Sequence, residues 1–116
     1  MSIPPPIRRG LFLFCSAALL VVTLMPSALL PEAHGADKVE HALAFAILTV
    51  LAVWSLPWRA WKLVIMLIAF GILIEILQAV LPFNRDAEAW DVLADSIGIA
   101  AGMAAELWVL RLTRRE

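Results

Sequence analysis

The strongest constraint on this chain is the arrangement of its apolar residues in four runs, each near the length of a membrane crossing, with prolines and charges between them. A helix needs roughly 17–25 mostly apolar residues to cross a hydrocarbon core of about 30 Å. The pattern places helices at about Gly10–Leu30, Lys38–Leu56, Lys62–Leu81 and Asp91–Leu110. With 63% hydrophobic and 16% charged residues in a chain of 116, little sequence is left for a separate soluble domain. The expectation is an all-α polytopic membrane protein, a bundle of four transmembrane helices forming one domain over residues 1–116.

The first run follows Arg8 and Arg9 and resembles a secretory signal in outline. Leu11–Leu30 is longer than the roughly 7–15 residues of a signal core, which favours a retained anchor preceded by an extended leader at Pro4-Pro5-Pro6. The single Cys15 cannot form an internal disulfide and reads as packing. The second run is the shortest: its uninterrupted part, Ala42–Leu56, has 15 residues. It spans if His41 sits at one interface and Trp54 and Trp58 anchor the other.

Charge fixes the expected orientation. Of nine basic residues, seven (Arg8, Arg9, Arg59, Lys62, Arg111, Arg114 and Arg115) fall on one side of such a bundle, and Lys38 and Arg85 fall on the other. The positive-inside rule then puts both termini in the cytoplasm. A net charge of −1 and scattered basic residues argue against nucleic acid as a partner.

In this topology, the ionisable residues inside or beside apolar runs gather at the outer end. A charge on a membrane helix costs about 2.5–3.5 kcal/mol at the bilayer centre on insertion scales, so its presence calls for a partner or a task. Counting back from Pro82 places Gln78 about 6 Å and Glu75 about 10 Å below the outer boundary, on one helix face that continues to Gly71. On the fourth helix Asp91, Asp95, Gly98 and Gly102 form a stripe, and Gly98-x-x-x-Gly102 permits close helix approach. On the second, Asp37 and His41 share a face with Phe45. The expected product is a polar outer-leaflet pocket of Asp37, Lys38, His41, Glu75, Gln78, Arg85, Asp91 and Asp95.

Plainer roles compete with that pocket. Asp91 and Asp37 sit where acids cap helix N-termini, and Arg85 could neutralise Glu75 or Asp91. Glu75, two turns from its helix end, fits a cap least. Glu75 and His41 are the candidates for general acid–base chemistry. His41, Glu75 and Asp95 could supply metal donors, but their spacing is no zinc signature, and neither metal nor cofactor is expected. Ser96 has no evident base, and no nucleophile or nucleotide motif is present.

Asp37-Lys38-x-x-His41-x-x-x-Phe45, then Glu75-x-x-Gln78, Arg85, Asp91 and Gly98, in that order, resemble the VanZ-like family of small bacterial membrane proteins. The resemblance covers about Asp37 to Gly102. It implies a multi-pass protein of the bacterial cytoplasmic membrane, with a family link to reduced susceptibility to the glycopeptide teicoplanin. This chain departs from the family where it carries Asp95 in place of an amide, and Ala87 and Glu88 where a hydroxyl residue is usual, so its pocket is more acidic.

Three functions fit these residues. In the first, the pocket binds or modulates an envelope lipid or a lipid-linked envelope precursor, with Lys38 and Arg85 meeting anionic groups and Gln78 orienting them. In the second, the protein is an intramembrane enzyme acting on a lipid-linked substrate with Glu75 or His41 as base. In the third, the carboxylates couple protons or cations to transport. Membrane lipids are partners in each, and Gly98-x-x-x-Gly102 could serve a homo-oligomer or packing within one chain.

Overall fold

In the computed structural model, residues 3–24, 37–81 and 89–114 are described. Among them the chain is all helical: α1 spans Pro5–Leu24, α2 Asp37–Ser55, α3 Ala60–Val80 and α4 Ala89–Arg114. Three of these, over Pro5–Leu24, Ala60–Val80 and Trp90–Leu112, are long and apolar enough to cross a membrane. The apolar part of α2, Val39–Ser55, is shorter.

The prolines expected as an extended leader instead begin α1. The Pro4 carbonyl accepts bonds from the amides of Ile7 and Arg8 at 3.0 and 3.2 Å. Pro5 and Pro6 fit the first turn because the amides they lack would have no partner inside the helix, and their fixed φ is already helical. The far end expected for the first helix, residues 25–30, lies outside the described residues. Toward the carboxyl end, α4 continues through Arg111 to Arg114, so this part of the basic tail is helical.

Side-chain contacts set the helix directions. Arg8, at the start of α1, donates from Nη1 to the Trp54 carbonyl at the end of α2 (3.0 Å), and Ser55 Oγ donates back to the Arg8 carbonyl (3.0 Å). Gln78 Nε2, near the end of α3, donates to the Thr23 carbonyl near the end of α1 (2.8 Å). His41, near the start of α2, meets Asp95, near the start of α4. Thus α1 and α3 run one way, and α2 and α4 the other.

Packing is closest between the parallel pair α2 and α4. A Cβ at Gly98 would fall on the Ala42 carbonyl oxygen, and one at Gly102 would lie 2.7 Å from Thr49 Cβ and 2.8 Å from the Ala46 carbonyl. Ala42-x-x-x-Ala46 on α2 thereby faces Gly98-x-x-x-Gly102 on α4. In lipid, where apolar contact alone drives little association, such small-residue seams gain van der Waals contact through close backbone approach. Beside the seam, Phe45, Leu48, Ala52, Leu63, Leu67, Ile74 and Ile99 form the core with Phe12 of α1. The Phe45 and Phe70 rings lie 6.0 Å apart and tilted by 41°. Cys15 is half-buried against this core.

The polarity of the bundle is inverted relative to a water-soluble one. Leu13, Phe14, Val21, Leu43, Ile47, Ile65, Ile76 and Ile97 are exposed, whereas Thr23, His41, Thr49, Ser55, Glu75, Gln78, Asp91 and Asp95 are buried. Water would penalise that exterior, and hydrocarbon would not.

Candidate functional site

The buried ionisable side chains converge at one end of the bundle. His41 Nδ1 and Asp95 Oδ1 are 2.9 Å apart, and the two side chains are 8% and 1% exposed. The contact follows from the seam: once Gly98 admits the α2 backbone at Ala42, the preceding residue His41 lies opposite Asp95, one turn before Gly98. Asp91 and Glu75 are also buried at this end.

The third wall is α3. Gly71, Glu75 and Gln78 are all buried and share a face at i, i+4 and i+7. Gly71 has a direct steric reason to be glycine, since a Cβ there would sit 2.8 Å from Asp95 Oδ2. Asp95 therefore spans the site, bonded to α2 through Oδ1 and facing α3 through Oδ2. Because α3 and α4 are antiparallel, Glu75 and Asp91 both stand one turn beyond the Gly71–Asp95 level, toward the end of the bundle. Gln78 caps this stack and ties it to α1 through Thr23. Below the Gly71–Asp95 level the helices are closed by Phe45, Leu67 and Ile99 and by the α2–α4 seam. The arrangement is a column of buried polar side chains.

Of the residues expected in the pocket, His41, Glu75, Gln78, Asp91 and Asp95 are buried at this end. Asp37 begins α2, but its side chain, that of Lys38, and the whole of Arg85 lie outside what is described. Within that set, His41 bonds Asp95 directly. Thr23 and Gly71 extend the site beyond the expected set. A threonine inside the first apolar run was the available sign of the former, and the i, i+4, i+7 spacing of the latter. Ser96 Oγ donates to the Val92 carbonyl at 2.8 Å, the ordinary back-bond of a helical serine. Among the described residues no three His, Cys, Asp or Glu side chains are grouped to hold a metal ion.

Two recesses flank the bundle. One of about 240 Å³ is apolar and lies along the outer side of the α2–α4 seam, between Val39, Ala42, Trp90, Leu93, Ala94 and Ile97. It sits beside the polar column, with Ala94 between Asp91 and Asp95 in sequence. The other, about 380 Å³, is bounded by Pro57, Trp58, Arg59 and Lys62 at the opposite end, away from the buried acids. There Arg8 also stacks on Trp54, its guanidinium 5.7 Å from the ring centroid.

Comparisons of the chain with protein-family models, with curated proteins and with solved structures found no match.

Proposed function

We propose that all four helices cross the bacterial cytoplasmic membrane with both termini in the cytoplasm, and that the protein is a VanZ-like envelope protein whose outer-leaflet column binds an envelope lipid. Lipid-linked envelope precursors are included in that class, and the link to teicoplanin susceptibility is what the resemblance to the VanZ-like family implies. The observation that carries this reading is the buried His41–Asp95 pair with Glu75 and Asp91 around it, beside an apolar groove on the same helix pair. Buried charges are expensive to retain, and an intramembrane ionisable cluster is by default a functional site. The groove would hold an acyl or prenyl chain while the headgroup reaches the column. Arg8, Arg9, Arg59, Lys62 and Arg111 at the opposite end support the orientation.

A photoreactive amino acid at Val39, on the groove, tests this in living cells. It should cross-link to an envelope lipid, while the same probe at Ile65, exposed on the other half of α3, should yield only bulk lipid. Equal lipid profiles at both sites would contradict the reading.

One observation favours the enzymatic alternative. A histidine oriented through Nδ1 by a buried aspartate can use its other ring nitrogen as a general base. Turnover of a lipid-linked substrate by purified protein, abolished by His41→Gln, is the result that reading requires.

A further inference from the structure

The recess at the end of the bundle away from the buried acids is lined by the opposite charge. Pro57, Trp58, Arg59 and Lys62 bound about 380 Å³ there, within the roughly 300–1,000 Å³ of small-ligand sites. Local sequence makes it. Pro57 has no amide with which to extend α2, and the helical bonding ends at the Leu56 amide, 2.9 Å from the Ala52 carbonyl. Arg59 then holds extended backbone (φ −65°, ψ 149°) ahead of α3, and the amides of Lys62 and Leu63 return to its carbonyl at 3.0 and 3.2 Å. This turn sets one cation at the cap of α3 and another in its first turn, both on the recess.

Those two cations stand where a helix least favours them. The start of α3 carries the positive end of its peptide dipoles, where acids stabilise and bases do not. The first turn of α3 has no acid, and Arg59 makes no side-chain cap bond. Among the described residues neither Arg59 nor Lys62 has an ion-pair partner. Lys62 lies instead over Trp61, its ammonium 5.5 Å from the ring centroid. Membrane topology accounts for basic residues at this end in general, but it does not require two of them in one recess at a helix start.

We propose that this recess takes the phosphodiester of an anionic phospholipid, of the phosphatidylglycerol kind, at the membrane surface. The Arg59 guanidinium offers paired N–H donors suited to phosphate oxygens, and the Lys62 ammonium adds a second charge. Trp58 and Trp61 are 46% and 59% exposed, and tryptophans at the end of a membrane helix lie at headgroup level, the depth of lipid phosphates. A zwitterionic headgroup would bring its own cation toward two others, and an anionic one would not. In the proposed orientation the recess faces the cytoplasmic leaflet, and it is separate from whatever the buried acids bind.

The test uses the full chain in detergent micelles at low ionic strength, titrated with dioleoyl phosphatidylglycerol and dioleoyl phosphatidylcholine, with bound lipid counted by native mass spectrometry. The wild type should retain phosphatidylglycerol about 10–30-fold more tightly, the scale of two basic side chains at a membrane surface. Arg59→Gln with Lys62→Gln should bring that preference below about threefold. Arg9→Gln with Arg111→Gln removes the same charge from the same end but outside the recess, and should leave the preference within about twofold of the wild type. Equal retention of the two lipids by the wild type, or equal losses in the two double variants, would overturn the inference. Glycerol 1-phosphate displacing phosphatidylglycerol at equal concentration would also overturn it, by making a soluble phosphate the occupant. All four side chains are exposed, so their replacement leaves the core intact. A photoreactive amino acid in place of Trp58 gives a reading that keeps both cations. It should cross-link phosphatidylglycerol in preference to phosphatidylcholine from an equimolar mixture, and cross-linking in proportion to the mixture would overturn the site.

Discussion

Gly98 of α4 lies directly against the Ala42 carbonyl of α2, with no space for a side chain between the two backbones. That contact brings two parallel helices together at the level where His41 meets Asp95, so seam and site are parts of one arrangement. Gly98→Ala forces helix backbones apart and is expected to cost about 3 kcal/mol, the upper part of the range for overpacking. At Gly102 part of the obstruction is the Thr49 side chain, so Gly102→Ala should cost less, about 1–2 kcal/mol. Reversible unfolding in mixed micelles measures both, and equal small effects would place the seam elsewhere.

Breaking the His41–Asp95 pair from one side should be worse than removing it whole. His41→Leu leaves a buried carboxyl without its partner and is expected to cost about 3–5 kcal/mol. The double variant His41→Leu with Asp95→Leu should cost less than the sum of the singles by about 1–3 kcal/mol. A double-mutant cycle giving strict additivity would show that the two side chains do not depend on each other.

Arg8 fastens α1 to α2 through a bond to the Trp54 carbonyl and a stack on the Trp54 ring. Arg8→Ala should lower stability by about 1–2 kcal/mol and speed amide exchange at Ser55 and Leu56. Arg8→Lys keeps the charge but not the planar fork, and should recover less than half of the loss. Full recovery by lysine would reduce Arg8 to a topological charge.

Orientation is read with cysteine labelling in a Cys15→Ala background, since Cys15 is the sole cysteine. Glu40→Cys, near the start of α2, should react with a membrane-impermeant maleimide on intact spheroplasts. Arg59→Cys, between α2 and α3, should react only after permeabilisation. The reverse pattern would invert the proposed topology.

The helices were legible because apolar run length is a one-dimensional property, and α2, α3 and α4 begin within two residues of their expected starts. The pairing of helices was legible only in part. Gly98 and Gly102 announce a close neighbour, but naming it requires knowing that Ala42 and Ala46 on α2 form the matching small face. That rotation decides that His41 bonds Asp95. Arg8 and Trp54 are 46 positions apart, and an arginine beside a tryptophan belt looks the same in sequence whether it binds a carbonyl or faces solvent. Pro5 misled because proline's usual meaning, a helix breaker, reverses in the first turn.

The most direct measurement of the central claim is the lipid that copurifies with the full chain from bacterial membranes, identified by mass spectrometry beside a paired Glu75→Gln, Asp91→Asn variant of equal helicity. The wild type should carry one envelope lipid enriched over the bulk membrane, and the variant should lose that enrichment. Lipid matching the bulk membrane in both proteins, or enrichment unchanged by the variant, would contradict an outer-leaflet headgroup site built on the buried acids.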